Sequence, residues 1–154
     1  MFRVTRAEEQ AVRLTMRLAT VGGQQTLANL AVAEQLPEPT VAKLLGMLRR
    51  GGVVEAVRGR HGGYVLAGTP EQVTAAAVIR SVSGDLIFSF PCGEAEGKAD
   101  LDCPRNTDCG LRPVWLHLGD RVAEVLEQTT VADLLQREAT STRNLQELWP
   151  LSGG

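Results

Sequence analysis

No apolar run in this chain approaches the roughly 18 residues that a membrane span requires. The start, Met1 to Glu9, is charged where a signal peptide would carry an apolar stretch. A cytoplasmic protein with no membrane partner is therefore expected. Cysteine is scarce: the 154 residues hold three, an odd count that argues against a disulfide framework in a reducing compartment. Neither interval between them matches the closely spaced cysteine pairs that structural zinc prefers. Thiol chemistry needs an activated cysteine beside a His or a second Cys, and the two histidines, His61 and His117, both read as surface residues; a thiol-dependent redox enzyme is the alternative from another class. What remains is near the soluble average, 44% hydrophobic and 22% charged, which excludes a disordered tail or a fibrous repeat. The length fits one medium domain, or a small one with an appendage, and excludes a large multidomain enzyme.

The net charge of -2 conceals an asymmetry. Up to Leu66, nine Lys and Arg stand against five Glu, a surplus of four; beyond it, seven basic residues face thirteen acidic ones. A basic front of this kind can face a polyanion, although an ordinary surface fluctuation gives the same count. The cysteines, Cys92, Cys103 and Cys109, all lie within one 18-residue segment. Their clustering points to a metal or cluster site, or to reactive thiols.

Apolar spacing organises the chain. Ala11, Leu14, Leu18 and Val21 share one helical face, predicting a helix from about Thr5 to Val21 that Gly22-Gly23 stops. Thr26 can cap a short helix to about Gln35, with Leu27, Leu30 and Ala31 inward. Val41, Leu44, Leu45 and Leu48 define a third helix from about Pro39 to Arg50, whose opposite face is Pro39, Lys43, Gly46, Met47 and Arg50. Val53 to Arg58 and Gly63 to Leu66 read as two strands joined by a basic tip, Gly59 to Gly62. Thr74 caps a fourth helix ending before Gly84, and Asp85 to Gly110 is an irregular, cysteine-bearing loop. Leu111, Trp115, Leu118, Val122 and Val125 follow at heptad spacing, predicting a long helix to about Gln128, and a short helix follows through about Glu138. The divisions expected are 1–84, 85–110, 111–139 and a tail, 140–154.

The fold is thus mainly α with a small β-hairpin wing: a winged helix-turn-helix plus a long dimerisation helix. In that arrangement the third helix lies in the major groove of DNA. Lys43 and Arg50 sit on its exposed face, while Arg58, Arg60 and His61 sit at the wing, where phosphate or a narrow minor groove attracts cations. Thr26 and the helix start around Thr40 offer further phosphate contacts. A winged helix used only for protein contact is the alternative. The heptad stripe has to be buried on its own domain or against a second copy. A two-fold homodimer would set two recognition helices about 34 Å apart, matching a palindromic site on double-stranded DNA.

These residues resemble the iron-sulfur cluster regulator family of bacterial winged-helix transcription factors, whose branches include IscR, the nitric-oxide-sensing repressor NsrR and the rhizobial iron regulator. The resemblance is carried by Val4 to Arg6, Leu48 to Val54, Val57 to Leu66, Val78 to Val82 and Thr130 to Leu135, and spans about 130 of the 154 positions. It implies a homodimeric regulator, not an enzyme, in which Cys92, Cys103 and Cys109 hold an iron-sulfur cluster that controls DNA affinity and senses nitric oxide, iron or redox state. Thiolates suit such clusters, and three of them leave one position for an oxygen or nitrogen ligand. The family fills it with a His just after the cysteines or with a carboxylate from the first helix of the other subunit. Here Cys109 is followed by Gly110, Leu111 and Arg112, so Glu9 is the implied ligand; its plain alternative is an ion pair with Arg13. Ten residues separate Cys92 from Cys103, more than the family pattern, which marks Cys92 as the weaker ligand and leaves 4Fe-4S and 2Fe-2S both open. Thr40-Val41-Ala42-Lys43 stands closer to the nitric-oxide-sensing branch than to the IscR branch. A cluster-free or zinc-binding regulator remains the alternative.

Overall fold

A computed structural model describes residues 4–60, 62–84 and 109–141. The elements are α1 (Arg6–Val21), α2 (Leu27–Glu34), α3 (Glu38–Arg50), β1 (Val54–Val57), β2 (Gly63–Leu66), α4 (Ala75–Ser83), α5 (Arg112–Gln128) and α6 (Val131–Ser141). His61, Cys92, Cys103 and the tail from 142 onward lie outside the described residues, as does all of the expected loop except Cys109 and Gly110.

Local chemistry sets the boundaries. Thr5 begins α1 with a capping box: its hydroxyl accepts the Glu8 N–H at 3.2 Å, and its own N–H donates to the Glu8 carboxylate at 2.6 Å. Gly22, at φ 64°, ends α1 in the left-handed conformation that favours glycine. The Thr26 hydroxyl accepts the Asn29 N–H and starts α2, and Thr74 does the same for Ala77 and α4. α3 begins at Glu38, one residue before the expected start, because Pro37 takes the cap position and Pro39 still falls in the first turn, where its missing N–H costs nothing. α6 runs to Ser141, beyond the expected end at Glu138.

The core joins these helices. Ala11, Leu14 and Leu18 of α1 meet Leu30 and Ala31 of α2, all four apolar stripe residues of α3, Val54 of the wing, Val78 of α4 and Val131 of α6. Val21, expected on the inward stripe of α1, is 48% exposed because the chain turns away at Gly22. The hairpin is antiparallel, with Val54 opposite Leu66 and Val57 opposite Gly63. Its second strand is anchored to the α1–α2 turn by paired bonds, Gln25 N–H to the Tyr64 carbonyl at 2.9 Å and Tyr64 N–H to the Gln25 carbonyl at 2.8 Å. Gly63 permits that approach, since a Cβ there would fall onto the Gln25 carbonyl group. The start of α6 is tied back to the start of α4, where Val131 N–H donates to the Val73 carbonyl and Ala75 N–H to the Thr129 carbonyl.

α5 departs from the single expected seam. None of its residues is fully buried. Trp115, Val122 and Leu126 are half-buried, and α5 contacts α4. Leu111, Val114, Leu118 and Val125 stay largely exposed, and so does Leu116 on another side of the helix. The stripe is therefore wide enough to serve two surfaces, one half-covered within the chain and one open.

Candidate nucleic-acid interface and sensor residues

The outward side of α3 carries Pro39, Ala42, Lys43, Arg49 and Arg50, all exposed, with Thr40 half-exposed at its start. Gly46 and Met47, expected on that open face, are half-buried, and Met47 packs against the core. A flexible thioether fills the edge of the core more readily than a charged neighbour would. Arg58 and Arg60 extend from the wing into solvent. Thr26 is exposed at the start of α2; its oxygen accepts from Asn29, and its O–H remains able to donate.

Several arginines away from this surface are held in ion pairs. Arg13 and Arg17 of α1 both bind Glu34 of α2, at 3.0 and 2.8 Å, and Arg13 also donates to the Glu34 backbone carbonyl at 2.8 Å. Arg80 pairs with Glu127, and Arg121 with Glu124. Lys43, Arg49, Arg50, Arg58 and Arg60 have no ion pair or hydrogen-bonded side chain among the described residues. All five lie on α3 or the wing; Arg6, Arg112 and Arg137 are likewise without an ion pair among the described residues, but they stand singly on α1, α5 and α6. Positive charge left without a partner on one surface is the electrostatic footprint of a polyanion site.

Sequence reasoning missed Arg49 and Glu34. Glu34 is only 7% exposed and completes the stripe Leu27, Leu30, Ala31 and Glu34 at i, i+3, i+4 and i+7. A carboxylate on an otherwise apolar stripe signals a buried ion-pair centre. Here it locks the first helix to the helix-turn-helix.

The two acidic residues near the start of α1 play different parts. Glu8 is committed: it closes the capping box and accepts the Ser83 hydroxyl at 2.6 Å. Burial pushes its carboxyl up, but the bonds from Ser83 and Thr5 outweigh this and leave it below the usual glutamate range. Glu9 is exposed and, among the described residues, meets only Arg13, at 3.5 Å, while Arg13 makes its shorter bonds to Glu34. Cys109 is a free, half-buried thiol immediately before α5, its carbonyl accepting the Arg112 N–H at 3.3 Å. His117 is exposed on α5. Among the described residues, no group of three or more His, Cys, Asp or Glu could hold a metal ion. Nor is any described helix long and apolar enough to cross a membrane.

Three helices, a hairpin wing and an unpaired cationic surface define a winged helix-turn-helix DNA-binding protein. The chain belongs to the Rrf2 family, whose model, described as an iron-dependent transcriptional regulator, matches residues 4–137. It is 30% identical over 112 residues to the transcriptional regulator CymR of Bacillus subtilis, covering 73% of this chain and 72% of that one. The structure of that protein, described as the global cysteine regulator, superposes with a TM-score of 0.73 at 27% identity, covering 89% of this chain and 98% of the other. The transcriptional repressor NsrR of Streptomyces coelicolor is 34% identical over 136 residues, 86% of this chain and 88% of its own. IscR of T. potens matches with a TM-score of 0.67 at 27% identity, covering 99% and 94%. The protein is accordingly a DNA-binding transcriptional regulator rather than an enzyme.

Proposed function

We infer that this regulator is a cytoplasmic homodimer acting on a palindromic operator, with DNA affinity set by an iron-sulfur cluster. Cys92, Cys103 and Cys109 of one protomer and Glu9 of the other would hold it, in 4Fe-4S or 2Fe-2S form. Lys43, Arg50, Arg58, Arg60 and His61, with Thr26 and Thr40, would contact the duplex. The carrying observation is the free, half-buried thiol of Cys109 at the start of α5, directly before the helix whose open apolar strip needs a partner. Three thiolates with one carboxylate make a chemically suitable donor set, and Glu9, unlike Glu8, is not consumed by local bonds. When bound, such a group supplies a centre reactive toward nitric oxide, iron supply or redox state.

The residues of the chain supply the coupling. Glu9 lies on α1, whose opposite face packs into the core shared with α3, while Arg13 and Arg17 clamp the same helix to α2 through Glu34. A pull on Glu9 therefore moves the helix-turn-helix as one body, changing how two recognition helices are presented to DNA. The similarity to CymR favours a second reading, a cluster-free regulator. Iron, sulfide and zinc assays on protein purified without oxygen decide between them. A brown protein that loses its iron in the Cys103→Ala or Cys109→Ala variant supports the cluster; a colourless protein, zinc-loaded or metal-free, overturns it.

A further inference from the structure

A cleft of about 440 Å³ opens between the last turn of α3 and β1, and its charged walls are Arg49, Arg58 and Glu55. None of the three has an ion pair or hydrogen-bonded side chain among the described residues. A second cleft, of about 420 Å³, is also lined by two arginines, Arg13 and Arg17, but there both pair with Glu34 and Glu138 adds a second carboxylate, so its charges cancel. The α3–wing cleft keeps its guanidiniums uncompensated apart from one carboxylate, so it retains a positive charge.

Its walls are held in place. Gly51 lets Ser81 of α4 sit against the end of α3, where any Cβ would collide with the serine. Val53 N–H donates to the Leu48 carbonyl at 2.9 Å, and Ala67 N–H to the Val53 carbonyl at 3.0 Å, fixing the base of the wing to the helix. The cleft is continuous with the cationic surface, since Arg49 adjoins Arg50 in the chain and Arg58 belongs to the wing. If α3 and the wing enter neighbouring grooves, the sugar-phosphate strand dividing those grooves crosses the span between them.

We propose that this cleft seats a backbone phosphate of the DNA strand passing between α3 and the wing. Arg49 and Arg58 form its cationic walls, and Glu55 is an opposing charge that keeps the contact weak. The contact is indifferent to sequence, so a mixed-sequence duplex of ~40 base pairs is a sufficient probe, titrated against the full-length protein over a range of salt. Arg49→Ala should flatten the slope of log affinity against log salt by about 0.9 and weaken binding about fivefold at ~0.15 M salt. Arg49→Lys keeps the charge and should keep the slope, which separates lost charge from lost fold. Glu55→Gln should bind more tightly than the wild type. An Arg49→Ala protein with the wild-type salt slope overturns the proposal, as does a loss confined to particular sequences or a Glu55→Gln protein that binds no better.

Discussion

In the proposed homodimer, replacing Leu118 by Ala should weaken self-association about thirtyfold. Complete burial of a leucine side chain contributes about 2.3 kcal/mol. Leu118 is 44% exposed, so about 1 kcal/mol per protomer is still to be gained, and two-fold pairing counts it twice. A loss of about 2 kcal/mol is about thirtyfold in Kd. Alanine maintains the helix, so the change tests the surface and not α5 itself. Leu118→Arg goes further, setting a charge and its two-fold mate in the apolar strip, and should leave a monomer. Leu116 is a control of equal chemistry: it is 49% exposed but lies about 160° away around the helix from Leu118, so Leu116→Ala should change nothing. Sedimentation velocity across a concentration series reads all three. A Leu118→Arg protein that associates like the wild type, or a larger effect at Leu116, refutes the open strip as the pairing surface.

Three further outcomes follow from the packing of the DNA-binding unit. Glu34→Ala should cost about 1–2 kcal/mol in urea unfolding, less than a fully buried pair, because Arg13 and Arg17 are partly solvated and can recover water. Gly63→Ala should cost about 2 kcal/mol in the same assay by forcing apart the two backbone bonds between Gln25 and Tyr64, and should weaken DNA binding through the displaced wing. Glu8 has a folded-state carboxyl below its ordinary range, so its contribution to stability is present above the unfolded value and is lost as pH falls through the folded one. Ser83→Ala removes one of the bonds responsible; urea titrations from about neutral pH to about pH 3 should show a deficit that narrows on acidification.

Much of the fold was legible because its signals are local. Thr26 and Thr74 cap where hydroxyl residues precede apolar periodicity, and Val41, Leu44, Leu45 and Leu48 are buried as their spacing requires. The capping box of Thr5 and Glu8 is equally local, a threonine three residues ahead of a glutamate at the head of an apolar stripe. Misplacements arose where tertiary context decides. Val21 and Met47 obey or break their stripes according to where the chain turns and which gap needs filling. The heptad of α5 did not reveal that its two flanks would part, since spacing defines a stripe and not the neighbours that cover it. At the site, charge composition pointed to the α3–wing surface, but only the ion-pair map separates Lys43, Arg49, Arg50, Arg58 and Arg60 from arginines held by carboxylates. Arg49 escaped notice because it lies off the face defined by Lys43 and Arg50 and acquires its place only when the wing folds beside it. For Glu9 the two sequence-level alternatives meet in one geometry: the bond to Arg13 exists, long and exposed, and leaves the carboxylate available.

Control of DNA affinity by a cluster on the cysteine thiols, as proposed, is open to a single comparison. Duplexes selected from a random-sequence pool by the wild-type protein without oxygen would be titrated with cluster-loaded and cluster-stripped wild type, and with Cys109→Ala. The two wild-type forms should differ at least tenfold in affinity, and Cys109→Ala should match the stripped form under both treatments. Equal affinities for loaded and stripped wild type would contradict it.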